Sequence, residues 1–305
     1  MNPLSRNKLI AAIAVSLALS SCFTGVESTP KITSKDVRKR NAVESAEMQY
    51  ASGLVTQPPR DWTSGKEFVV TDSRISYALT PVERAMSVIP GERLVFQYAE
   101  EVPSMTDVDD TDFVFLSQAG DTLRYRVDAP VKEIELRDRL EVPFTIEQSL
   151  VDSAQALLAG NEYWITTPVW FDETGENIVG RQLVKVHIDS VTPGNTVYPL
   201  SVCFTDERGQ HSRVFMSAGT GPRATRNFDT LFTLTDPRSK YKDISPETWD
   251  YITRCAVRKD MTREECRLAV GSPNEVFYGH YIERWNYDNG RYLIFDDDHL
   301  RSFRF

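Results

Sequence analysis

Cysteine is scarce in this chain, with four residues in 305, so cross-linking contributes little to holding the fold together. Basic charge is in deficit as well. The 35 Lys and Arg stand against 44 Asp and Glu, a net of −9, which leaves no electrostatic footprint for nucleic acid. Long apolar runs are missing except from Leu9 to Leu19, a stretch too short for a spanning helix. A nucleophile elbow, a zincin helix signature, a Walker loop and a dinucleotide fingerprint are all absent. The chain therefore signals no enzymatic chemistry and calls for no metal or cofactor. What is present is ordinary folding material: 41% hydrophobic, 26% charged and 10% aromatic residues, which excludes collagen, coiled coil and wholesale disorder. At roughly 100–200 residues per domain, the length points to two or three domains.

The N-terminus is an address. Arg6 and Lys8 form a positive n-region, Leu9 to Leu19 an apolar h-region, and Ser20-Ser21 the small residues before a cleavage point. Leu19-Ser20-Ser21-Cys22 resembles the bacterial lipobox, which implies cleavage after residue 21, acylation of Cys22 and a hold on a membrane surface without spanning it. The expected location is the outer membrane, facing the periplasm. Residues 22–59 read as a tether with one short helix, its stripe set by Val43, Ala46 and Tyr50. A basic cluster at Arg38-Lys39-Arg40 lies within it; it reads as a solvated face or as a contact for anionic headgroups.

With Cys22 lipidated, Cys203, Cys255 and Cys266 remain, and an oxidising compartment permits at most one internal pair. Cys255 and Cys266 are closest in sequence and are the candidate disulfide. The other reading makes them two buried small hydrophobes.

Beyond Pro59 short alternating apolar runs are separated by Gly, Pro, Asn and Asp turns, the pattern of antiparallel strands. Two stretches match: Gly65-Lys66-Glu67-Phe68-Val69-Val70-Thr71 with Gly160-Asn161-Glu162-Tyr163-Trp164-Ile165-Thr166. Ser87-Val88-Ile89-Pro90-Gly91 also matches Ser190-Val191-Thr192-Pro193-Gly194, which implies an insertion in the second copy, placed at a hairpin tip over 172–177. These matches predict a duplication: two small antiparallel all-β modules, barrel or sandwich, over 60–147 and 148–240.

The segment 241–305 predicts an α+β domain of two helices and a three-stranded antiparallel sheet. Ser245-Pro246-Glu247 supplies an N-cap, an N1 proline and an acidic first turn. Thr262 with Glu265 forms a capping box, and Gly271-Ser272-Pro273 stops the second helix. Asn289-Gly290 suits a type I′ hairpin turn between strands at Ile282–Tyr287 and Arg291–Phe295, with a last strand from Leu300 to Phe305. These residues carry a resemblance. Met261-Thr262, Val270-Gly271-Ser272-Pro273, Trp285-Asn286-Tyr287, Phe295 and Asp298-His299-Leu300 resemble the SmpA/OmlA (BamE-like) domain of outer-membrane lipoproteins over about the last fifth of the chain. Asp260 and His299 stand where that pattern carries glycine. The resemblance implies a non-catalytic role in envelope assembly or integrity through an envelope protein partner; separately, among the aromatic residues that crowd the last sheet, Trp285, Tyr287 and Tyr292 are candidate protein-binding residues.

Other constellations have plainer readings. Cys203 with His187 or His211 has the elements of a thiol–imidazole pair, but it lies in the apolar run Val202-Cys203-Phe204, which predicts a buried structural residue. Asp107, Asp109, Asp110 and Asp112 lack the Gly and terminal Glu of a calcium loop and read as a solvated turn, as do Asp296, Asp297 and Asp298. Ala218-Gly219-Thr220-Gly221-Pro222-Arg223 is a linker with a possible anion nest. The alternative to the adaptor is a cell-wall or glycan binder with a concave groove on the β modules.

Overall fold

The computed structural model describes residues 49–104, 108–219, 225–279 and 282–305, all within one compact unit from Ser45 to Phe305. The signal segment, Cys22 and the basic cluster Arg38–Arg40 lie outside the described residues, as do Asp107, the linker core 220–224 and Tyr281.

Among the described residues the protein is mostly β, with six helices and three antiparallel sheets, each over its own hydrophobic core. The first sheet comprises β1 (Glu67–Val70), β2 (Leu79–Thr80), β3 (Arg93–Val102), β4 (Asp110–Leu116), β5 (Thr122–Val127) and β6 (Thr145–Glu147), with α1 (Val82–Ala85) and α2 (Val131–Glu135) in its connections. Helix α3 (Gln148–Leu158) leads to the second sheet. That sheet comprises β7 (Glu162–Ile165), β8 (Val169–Phe171), β9 (Asn177–Val179), β10 (Val184–Pro193), β11 (Leu200–Asp206), β12 (His211–Met216) and β13 (Phe232–Thr233), with α4 (Phe228–Leu231) before its last strand.

The two sheets repeat one topology. The first runs β6-β1-β3-β4-β5-β2 and the second β13-β7-β10-β11-β12-β8, with β9 added at the far edge. Details recur with the order. Gly65 N donates to Phe96 O at 2.9 Å and Phe96 N to Lys66 O at 2.8 Å; Gly160 N donates to Ile188 O at 2.8 Å and Ile188 N to Asn161 O at 2.9 Å. The register of β3 on β4 slips between Phe96 and Tyr98, and that of β10 on β11 slips between Ile188 and Ser190. The next hairpin turns on Gly120 in one copy and Gly209 in the other, both at positive φ (85° and 79°), a conformation that glycine adopts at no steric cost.

This alignment upholds the Gly65/Gly160 match and overturns the second one. Ser87–Gly91 precedes β3, whereas Ser190–Gly194 closes β10. Similar Ser-Val-x-Pro-Gly text reflects turn chemistry that recurs wherever a strand must start or stop. The additional hairpin does stand at 172–177, between β8 and β9, where Asp172 Oδ1 accepts from Thr174 N and Glu176 N.

The C-terminal part has α5 (Pro246–Thr253) and α6 (Arg263–Val270) against a sheet of four strands, not three: β14 (Glu275–Tyr278), β15 (Ile282–Asn286), β16 (Tyr292–Asp296) and β17 (His299–Arg304), paired in chain order. The unforeseen β14 is only four residues, Glu-Val-Phe-Tyr, and its apolar run does not alternate with polar residues. The local stop and start signals are realised. Ser245 Oγ accepts from Thr248 N, the Thr262–Glu265 capping box is closed on both sides, and Asn289 and Gly290 both take positive φ.

Candidate functional site

Alternation along β15 and β16 divides the last sheet into two faces. Trp285, Leu293, Phe295 and Leu300 point toward the helices and are fully buried with Ile252, Cys266 and Ala269. Glu283 fastens this layer: its Oε1 accepts from Trp285 Nε1 at 2.5 Å and its Oε2 from Arg263 Nε at 2.8 Å, while Arg263 Nη1 reaches Asp298 Oδ1 at 2.6 Å. The Asp296–Asp298 turn is exposed, as its solvated-turn reading has it, and Arg263 also ties it to α6.

The opposite face carries Phe277, Arg284, Ile294 and Ser302 in one cross-strand row, with Tyr292 in the next. Phe277 is 55% exposed, and the Arg284 guanidinium lies 4.6 Å above the Tyr292 ring while donating to Asn286 Oδ1 at 2.9 Å. An aromatic, an arginine and an aliphatic side chain share an open surface there, presented by the ladder beneath.

Of the three candidate protein-binding residues, only Tyr292 lies on this face. Trp285 is 0% exposed, because its position in the alternation sends the indole into the core. Tyr287 also turns toward the helix side: its hydroxyl donates to Gly271 O at 3.0 Å and its ring meets Phe305 at 5.1 Å. Burial pushes its phenol up to about 12. Phe277, Arg284 and Ile294 went unforeseen; the Asn-Gly turn anchors the β15–β16 register, from which the outward parity of Arg284 and Ile294 follows.

All three described cysteines are free, so the Cys255–Cys266 disulfide is not formed. Cys255 sits in a left-handed turn past α5 at φ 55°, and Cys266 points from α6 into the core. Burial raises their thiols to about 11 and about 12. Cys203 is half-buried on the outer face of the second sheet, not inside its core. Its cross-strand neighbours are Ser190 and Arg213, so neither histidine stands opposite the sulfur. His187 and His211 both pair with Thr205, whose hydroxyl lies 2.9 Å from His211 Nδ1 and donates to Asp189 Oδ2 at 2.7 Å.

Asp110 and Asp112, read from sequence as a solvated turn, are buried on β4. Arg126 explains the burial of Asp112, since its Nε and Nη2 donate to the two Asp112 oxygens at 2.8 and 2.9 Å across the β4–β5 ladder. Among the described residues no group of three or more His, Cys, Asp or Glu is placed to hold a metal ion.

A cleft of about 520 Å³ opens between the two repeated sheets. Pro90-Gly91 and Pro193-Gly194 line it, with Arg93 and the α3 residues Gln148, Asp152 and Gln155. No aromatic ring lines it. Among the described residues no helix is long and apolar enough to cross a membrane.

Comparison with known proteins adds no relative: no family model, no curated protein and no solved structure matches this chain.

Proposed function

We propose that this chain is a lipid-anchored envelope protein acting as a non-catalytic protein-binding adaptor in outer-membrane assembly or maintenance. The lipobox-like Leu19-Ser20-Ser21-Cys22 supports the anchor, and the open face of the C-terminal sheet supports the binding role.

One observation carries the reading: the open face of the last sheet combines Phe277, Arg284, Tyr292 and Ile294, residue types that dominate the energetics of protein interfaces. The cleft between the modules favours a glycan less, because it offers no ring for a sugar face to stack on.

The test is site-specific photo-crosslinking in native envelopes from Tyr292, on the open face, and from Val179, an exposed control on β9. A discrete envelope protein caught from Tyr292, absent from Val179 and lost with Arg284→Glu supports the adaptor. Retention of cell-wall material by the Arg284→Glu variant, with no protein adduct from either position, overturns it.

A further inference from the structure

Strand β14 is the uncovered edge of the last sheet, and the two edges of that sheet are unlike each other. On β17 the register slips between Ile294 and Phe295, and Arg301 and Arg304 are exposed. Bulges and charged side chains are the devices that keep an edge from pairing. Strand β14 has no register slip over its length and one charge, Glu275 at its start: it runs Glu-Val-Phe-Tyr in unbroken register with β15, with Phe277 55% and Tyr278 78% exposed.

The parity of its backbone is determined. Gly279 N donates to Ile282 O at 2.7 Å, and Gly279 continues the register that pairs Phe277 with Arg284 and Glu275 with Asn286. Alternation along an antiparallel ladder then turns the N–H and C=O of Val276 and Tyr278 outward, away from β15. Among the described residues nothing pairs with that side.

We infer that two copies of this chain pair antiparallel along β14, about a two-fold axis at Phe277, to make one continuous eight-stranded sheet. The outward groups sit symmetrically about Phe277, so Val276 of each copy meets Tyr278 of the other and four backbone hydrogen bonds close. The two Phe277 rings face each other in the central non-hydrogen-bonded pair, where side chains approach most closely. Charge permits this occupant. Glu275 falls opposite Gly279 of the second copy, not opposite a second carboxylate, and the side chain beside that glycine is the uncharged Ile282. Pairing β14 with β17 of another copy would leave edges open and propagate into a filament, whereas the two-fold closes.

The inference stands apart from the adaptor reading, because the dimer is scored without any other protein. Phe277→Cys in the full chain, oxidised mildly in native envelopes, is expected to give a disulfide-linked dimer at twice the chain mass. Ile282→Cys, exposed on the same face but one strand from the seam, is expected to give none. A second measurement is sedimentation of the full chain in mild detergent, with association constants at least tenfold weaker for Tyr278→Pro. That proline removes only an outward N–H and an exposed side chain, so the β14–β15 ladder survives. Arg304→Glu on the opposite edge should leave association unchanged. A monomer at all concentrations up to about 1 mM, equal cross-linking from Ile282→Cys, or association insensitive to Tyr278→Pro each overturns the pairing.

Discussion

The side-chain amide of Gln182 donates to the carbonyl of Leu268 at 2.7 Å, and the same nitrogen lies 2.8 Å from Ala269 O and 3.1 Å from Ile252 O. Helices α5 and α6 thus have C-terminal carbonyls served by one residue from the loop between β9 and β10. The Gln182 backbone N–H adds a bond to Thr253 O at 3.0 Å, and Arg181 Nη2 reaches Thr253 Oγ1 at 2.7 Å. The last four carbonyls of a helix have no partner within it. Here the second β repeat supplies them, which joins it to the C-terminal part.

Gln182→Ala is therefore expected to destabilise the protein by about 1–3 kcal/mol, since it strands buried carbonyls instead of only deleting a contact. Urea unfolding followed by tryptophan fluorescence measures it. A variant as stable as the parent would show that water replaces the amide.

Lys66 and Glu147 form a buried ion pair, Nζ to Oε2 at 2.7 Å, with both side chains 5% exposed. Gln57 Oε1 and Ser149 Oγ take the other ammonium protons at 2.7 and 3.2 Å. Lys66→Met leaves a carboxylate uncompensated and is expected to cost about 3–5 kcal/mol. The double variant Lys66→Met/Glu147→Leu should recover most of that loss. A double-mutant cycle by chemical denaturation decides it, and strict additivity would contradict the pairing.

The thiols of Cys255 and Cys266 titrate above their ordinary value of 9.0, at about 11 and about 12, because burial penalises the thiolate. With the folded value raised, the unfolded chain releases its protons first as pH rises. The stabilisation is complete below pH 9.0 and is lost progressively up to about pH 12. Cys266→Ala should flatten this alkaline decline while lowering stability at neutral pH through the space it leaves. An alkaline limb identical to that of the parent would remove Cys266 from the account.

Gly180 lies against the indole of Trp170: a Cβ placed there would stand 2.1 Å from the ring. Trp170 is fully buried and donates Nε1 to Thr167 O at 2.8 Å. Gly180→Ala should cost about 1–3 kcal/mol by overpacking, with a change in near-ultraviolet circular dichroism as the ring shifts. Gly175→Ala, where nothing lies within 4 Å but φ is 87°, should cost less and leave that spectrum unchanged.

How much was legible in the residues follows from the range of the interaction. Helices α5 and α6 could be read because their boundaries are set by residues three apart, Ser245 with Thr248 and Thr262 with Glu265. The hairpin at Asn289-Gly290 was equally local. The first repeat match held because the Gly65 and Gly160 turns impose the same backbone demand. The candidate site was legible only in part. Tyr292 lies on the open face, whereas Trp285 and Tyr287 turn away from it.

The sequence by itself determined the strand-rich body, the repeat and the two capped helices, since these depend on hydrophobic period, turn chemistry and capping within a few residues. Only the tertiary structure decided that the last sheet has a fourth strand with a bare edge. It also decided that Asp112 is buried against Arg126, that Gln182 serves two helices, and that Trp285 faces inward while Arg284 faces out. These depend on register between distant segments, where a shift of one residue exchanges the two faces of a strand, and no local pattern specifies that shift.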